Sequence, residues 1–158
     1  MKSKRAVPRR GSRRGPDAIA LLKADHKAVS SLFERFEHSR AAAAKYKLAQ
    51  TICTALQVHT RIEEEIFYPA VRPEIEDDDL MDEALVEHAG AKKLIAQIKR
   101  GKPGARLYDA KVKVLGEYIK HHVKEEHTEL FPKARKTAID MKALGARLKA
   151  RKRALGAD

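Results

Sequence analysis

The sequence predicts an all-α chain: an up-down-up-down four-helix bundle with a disordered basic arm ahead of it and a short basic helix behind it. Three observations carry this reading. Trp is absent, and Ala, Lys, Leu and Glu dominate, a composition that favours helix over strand. Apolar residues recur at spacings of three and four through four long stretches, which marks one buried face per helix. One stretch also occurs twice. His59-Thr-Arg-Ile-Glu63 leads to Phe-Tyr-Pro69, and His122-Val-Lys-Glu-Glu126 leads to Leu-Phe-Pro132, with ten residues from His to Pro in both.

Residues 1–16 carry seven Lys or Arg, no acid and almost nothing to bury. They are expected to be a disordered arm, either a tether to nucleic acid or another anionic surface, or a solubilising tail. The first helix is expected from about Asp17, with Pro16 just before it, to His38–Arg40. Ile19, Leu22, His26, Val29, Phe33 and Phe36 form its apolar seam. His38 lies off that seam, on the solvent side. The second helix is expected from about Ala41 to Arg72, with Leu48, Ile52, Ala55, His59, Ile62, Glu63 and Ile66 inward, and Pro69 bending or loosening it near its end. Glu64 and Glu65 are read as solvated. Pro73 to Asp79 is read as an acidic connection whose aspartates cap a third helix, about Asp79 to Arg100, with Met81, Leu85, His88, Ile95 and Ile98 inward. Gly101-Lys-Pro-Gly104 is a stop and turn. The fourth helix is expected over about Ala105 to Ala134, with Val112, Leu115, Ile119, His122, Glu126 and Leu130 inward. Residues 135–158 are a basic helix or tail, with Ile139, Leu144, Leu148 and Leu155 as its apolar positions. The domain plan is therefore 1–16, 17–134 and 135–158.

The net charge of +12 belongs to the ends. Residues 1–16 hold +7 and 133–158 another +7, while 17–132 hold 18 bases and 20 acids, or −2. The single Cys53 cannot form an internal disulfide, and it is expected to be a small buried group in a reducing, cytoplasmic setting. No apolar run approaches the roughly 20 residues that span a bilayer. No hydrophobic stretch follows the basic N-terminus, so it does not read as a secretory signal.

The repeated stretch carries the chemistry. Four residues is about one helical turn, so each His stacks on its Glu along one face. The echo reaches further back: Asp25-His26 precedes His59 by 33 residues, and Glu87-His88 precedes His122 by 34. The four matched His and two matched Glu then all point into the bundle. One such His is ordinarily a core residue held by a hydrogen bond. Two buried carboxylates with no Lys or Arg matched to the repeat are costly unless a cation pairs with them. Imidazole and carboxylate without thiolate suit iron, manganese or zinc, and two shared carboxylates suit a pair of ions. Two His per ion with both Glu bridging leave coordination positions vacant, whereas a structural zinc site is normally closed.

These residues resemble the hemerythrin-like family, the HHE cation-binding type, over about residues 17–134. The resemblance implies a four-helix bundle holding a non-haem di-iron centre, oxo- or hydroxo-bridged. His26 and His59 would hold one iron, His88 and His122 the other, and Glu63 and Glu126 would bridge. It also implies a small partner such as O2, peroxide or NO, in redox or oxidative-stress handling, as monomer or dimer. Two alternatives stand beside this: an iron or O2 sensor whose basic tails engage nucleic acid or an acidic partner, and plain iron buffering. The O2-carrying members place two His four apart on the third helix and a carboxylate five residues after the last His. Here Ala84 and Lys92 flank His88, and the acid follows His122 by four. That departure favours redox or peroxide chemistry over carriage. Asp25, Glu87, His121 and His127 are candidates to complete the shell, and Tyr118 is either a pocket residue or a core aromatic.

Overall fold

A computed structural model describes residues 15–157 of the 158-residue chain. Residues 1–14 of the arm expected over 1–16 lie outside the described residues. Helix α1 (Ala18–His38) is capped by Asp17, whose side chain accepts a hydrogen bond from the Ala20 amide. Helix α2 (Ala42–Ile62) passes through a π-helical turn, π1 (Glu63–Phe67), into α3 (Tyr68–Ile75). Helix α4 (Asp78–Arg100) is capped by Asp77. Helix α5 (Tyr108–Glu125) passes through a second π turn, π2 (Glu126–Leu130), into α6 (Phe131–Arg135). Helix α7 (Met141–Ala154) is capped by Asp140. The bundle is all-α, as the periodicity requires. Helix α1 packs on α2 and α5, and α4 packs on α5 and α2, which closes the ring of four.

Four expectations are corrected. The second helix runs past Arg72 through Pro73 to Ile75 and ends at Glu76, a left-handed residue with φ of 52°. It continues because Val71 is fully buried and Ile75 packs on the same core, which outweighs the one bond Pro73 cannot donate. The fourth helix starts at Tyr108, three residues later than expected. Leu107 adopts a left-handed φ of 72°, which stops the helix from running back to Ala105. Leu85 is exposed, and Ala84 takes the inward place on α4. Tyr118 is half exposed on the outside of α5, lying over Gly90, so it does not fill the core.

The core falls into two apolar clusters with a polar layer between them. One gathers Leu22, Ile62, Phe67, Val71, Met81, Leu130, Phe131 and the Leu144 and Leu148 side chains of α7. The other gathers Val29, Ile52, Cys53, Leu56, Ile95, Val112 and Leu115. The layer is His26, His59, Glu63, His88, His122 and Glu126, all buried. Among the described residues, no helix is long and apolar enough to cross a membrane.

Candidate metal centre

Each of the four long helices supplies one inward imidazole. The four Nε2 atoms meet as two pairs: His26 and His59 at 3.0 Å, His88 and His122 at 3.1 Å. Glu63 lies between the pairs. Its Oε1 is 2.9 Å from His59 Nε2, and its Oε2 is 3.0 Å from His88 Nε2. Glu126 Oε1 spans the other diagonal, 3.1 Å from His122 Nε2 and 3.4 Å from His26 Nε2. The sequence reading thus named six side chains that the fold does bring together, grouped as His26, His59, Glu63 and Glu126 beside Glu63, His88 and His122.

The π turns position the two carboxylates. Glu63 opens π1 and Glu126 opens π2, and each accepts at its carbonyl from the amide five residues on, Tyr68 and Phe131. The wider turn puts residues i and i+5 on one face, so the Tyr68 side chain lies over Glu63. Its hydroxyl donates to Glu63 Oε2 at 3.0 Å and lies 3.3 Å from Glu126 Oε2. It is also 3.2 Å from His88 Nε2 and 3.3 Å from His122 Nε2. Burial first, then the charges of Glu63 and Glu126, push the Tyr68 hydroxyl well above the ordinary phenol range, so it remains a donor. The sequence reading missed Tyr68. The signal was there as a five-residue step from Glu to an aromatic, followed by Pro, in both copies.

Behind each imidazole stands a second partner. His59 Nδ1 donates to Asp25 Oδ2 at 3.1 Å, and His88 Nδ1 donates to Glu64 Oε1 at 3.2 Å. His26 Nδ1 shares a 2.8 Å hydrogen bond with His127 Nε2. His122 Nδ1 faces Glu87 Oε1 at 3.5 Å. Asp25 and His127 therefore sit outside the cage and aim its donors, Glu87 sits outside it opposite His122 Nδ1, and His121 is exposed. Glu64, read as solvated, is half-buried and also holds Lys92 Nζ at 2.6 Å. It belongs to the set behind the imidazoles.

This arrangement fits a cation. A carboxylate can only accept, so Asp25 and Glu64 hold the Nδ1 protons of His59 and His88. The Nε2 lone pairs then face inward, toward each other and toward carboxylate oxygens. Glu63 Oε1 and Glu126 Oε1 are buried without a hydrogen-bond donor. Inward lone pairs and orphaned anionic oxygens need positive charge at their centre. The proton affinities say the same. Burial alone would lower that of His59, but the Glu63 charge and Asp25 raise it to about 10. Burial would lower that of His122 too, but Glu126 raises it to about 12. Glu63 is pulled well below the carboxylate range despite burial, chiefly by His59.

Comparison with known proteins gives the same answer. The family model described as the hemerythrin HHE cation binding domain matches residues 17–134. This chain belongs to the hemerythrin HHE family. Among solved structures, a hemerythrin HHE cation binding domain-containing protein from Mycobacterium kansasii superposes with a TM-score of 0.76. The match covers 89% of this chain and 88% of that one at 20% identity, a likeness of fold. Among curated proteins, a "DNA nickase" of Nostoc sp. (strain PCC 7120) is 30% identical over 111 residues. That match takes in 70% of this HHE chain but 31% of the relative's length, so the chain spans about a third of that protein.

Proposed function

We propose that this HHE domain holds a dinuclear non-haem centre, with iron as its resident metal, that binds or reacts with a small ligand of the O2, peroxide or NO class. His26 and His59 hold one ion, His88 and His122 the other, and Glu63 and Glu126 reach both. The bound pair would supply electrons and open coordination positions. The chain's own residues supply the rest. Asp25 and Glu64 orient the imidazoles, Tyr68 presents a proton at Oη, and the flanking hydrocarbon excludes water. Manganese or zinc suits the same donors, and the metal is to be read from the protein itself.

The observation that supports a small ligand is a cavity of about 10 Å3 against the imidazoles. It is floored by His26, His59, His88 and His122 and roofed by Val29, Leu56, Ile119 and Val123. Such a space takes roughly one water-sized molecule and no organic substrate. A surface groove of about 350 Å3 between α1 and α5 shares His26, Ile119 and Val123 with it and is the natural approach. The test is metal analysis with an optical spectrum of protein prepared without chelator, followed by NO and peroxide challenge. Two irons per chain and a spectrum that responds to NO or peroxide are expected. Ile119→Phe, which fills the cavity, should keep both irons and lose the response. Less than one metal per chain, or an Ile119→Phe protein with undiminished response, overturns the reading. Peroxide consumed in many turnovers marks an enzyme; a stoichiometric response marks a sensor; iron release with neither marks a buffer. The buried Cys53 thiol, pushed up to about 11 by burial, is inert enough to sit beside such chemistry in a reducing cytoplasm.

A second reading concerns the basic ends. Lys142, Arg147, Lys149 and Arg153 are exposed on α7, whose apolar side is covered by the bundle. Lys142 Nζ also donates to Gly15 O, so the basic segment 1–14 joins the fold beside this helix. The exposed cationic face of α7 and the residue to which the basic segment 1–14 is joined thus lie side by side, which suits a phosphate backbone. Binding of a labelled DNA duplex that weakens steeply with salt is the expected result. Binding only to anionic lipid vesicles, or to neither, removes nucleic acid as a partner.

A further inference from the structure

Beside the buried centre, on the outer face between α4 and α5, Glu87, His121 and Glu125 converge. One donor atom from each lies within 4.8 Å of the other two. His121 Nε2 is 3.1 Å from Glu125 Oε1 and 3.8 Å from Glu87 Oε2. Two carboxylates share this small space, and among the described residues no Lys or Arg forms an ion pair with either. Like charges this close cost free energy unless something positive lies between them.

An independent observation points to the same spot from the inside. His122 is 5% exposed, and its Nδ1 has no hydrogen-bond partner. That nitrogen is aimed at Glu87 Oε1 across 3.5 Å, too far for a good bond. The other three cage imidazoles are all held at Nδ1 by a neighbour at 2.8 to 3.2 Å. Glu87 is thus turned only partly toward the imidazole it should anchor. Its second oxygen faces outward to His121, as a ligand shared with an external cation would.

We propose that Glu87, His121 and Glu125 form a third divalent-cation site, weaker than the buried pair and open to solvent. The donors are one imidazole and two carboxylates, which suits Fe2+, Mn2+, Co2+ or Zn2+ with water in the remaining positions. The side chains of Glu87 and Glu125 are 25% and 28% exposed and that of His121 is 65% exposed, so the ion exchanges readily. An ion held there draws on the carboxylate that stands behind His122, and its occupancy is therefore coupled to the centre through one residue. Residues 1–16 contain no His, Cys, Asp or Glu and offer no competing ligand.

The test is equilibrium dialysis of tag-free, chelator-stripped full-length protein against Co2+, with metal counted per chain. The expected wild-type result is three Co2+, the third half-saturating at a Co2+ concentration at least about tenfold above the first two. The double variant His121→Ala, Glu125→Gln should bind two, with the affinity of those two within about twofold of wild type. Both positions lie on the outer side of a helix, and unchanged helical circular dichroism checks the fold. Single His121→Ala should weaken the third site without abolishing the first two. A wild-type chain that saturates at two ions, or a double variant that keeps the third unchanged, overturns the proposal. A wild-type chain that binds one weak ion, lost in the variant, overturns the dinuclear reading and supports this one.

Discussion

Tyr68 stands at the middle of the cage with four partners around one oxygen, and its removal isolates what a single hydroxyl contributes. Tyr68→Phe keeps the ring against Phe67 and leaves Glu63 Oε2 without its donor. The chelator-stripped variant should lose about 1–3 kcal/mol in denaturant titration, with a smaller loss once metal is bound. The imidazoles set a pH dependence whose sign follows from their raised proton affinities. In the metal-free protein His59 rises from 6.5 to about 10, and His122 from 6.5 to about 12. Their contribution is full below about pH 6.5 and is lost as pH climbs through the folded values. Glu63 and Glu126 are depressed, so theirs is lost only toward acid. Thermal melts of stripped protein should therefore fall steadily from pH 7 to 10, while metal-loaded protein, in which ions replace those protons, stays nearly level. At this scale the sequence was informative where a residue type repeats at a fixed interval. His26, His59, Glu63, His88, His122 and Glu126 were all legible in that way. Glu64 was not, because a carboxylate one residue past Glu63 looks like any solvated acid until the partner helix supplies His88 and Lys92. Tyr68 hid for a different reason: its orientation depends on a turn that is not α-helical.

Those turns are the lesson at the scale of elements. Glu63 and Tyr68 are both buried, as are Glu126 and Phe131, and a five-residue step would carry the second of each pair about 140° round a regular α-helix. Proline follows immediately in both copies. In a regular helix its ring would strike the carbonyl four residues back. A π turn just ahead of it widens the backbone there and absorbs the extra residue. Deleting the exposed Thr128 should close π2 into an α turn, since i and i+5 become i and i+4 and the flanking core positions keep their face. Pro132 would then clash, at a cost of about 3 kcal/mol by chemical denaturation, and the cost should shrink when Pro132→Ala is combined with the deletion. If the deletion is harmless by itself, the turn is not serving the proline. The α-helices and most inward faces could be read from periodicity, whereas the π turns, and ends set by left-handed residues, as at Glu76 and Leu107, could not. Nothing in Leu107 as a residue type favours positive φ; the chain path from Gly101 to Tyr108 imposes it.

For the whole molecule, the two apolar clusters hold the polar layer between them, and α7 closes one end. Its seat is tight. A Cβ on Gly145 would lie 2.5 Å from the Pro16 carbonyl oxygen and 2.8 Å from the Ala18 amide, both backbone atoms that cannot swing aside. Gly145→Ala should lower the melting temperature, equivalent to about 1–3 kcal/mol, by lifting Leu144 and Leu148 from the core. A melt unchanged from wild type would mean that the start of α1 yields instead. That the last segment would be a helix was legible from its leucines; that it docks was not, because its mates are α1, α2 and π1, elements far away in the sequence whose faces its own periodicity does not name. Asp25 gives this docking a reach beyond packing. One of its oxygens takes the proton of His59 and the other takes Lys152 Nζ at 2.7 Å. A single carboxylate is thus divided between the cage and the far end of the polypeptide. Were α7 to lift, that oxygen would lose its ammonium and the imidazole would feel the whole carboxylate charge, leaving His59 a more electron-rich donor. Absorbance of ions held by His59, as proposed, would then report whether a helix outside the cage is seated.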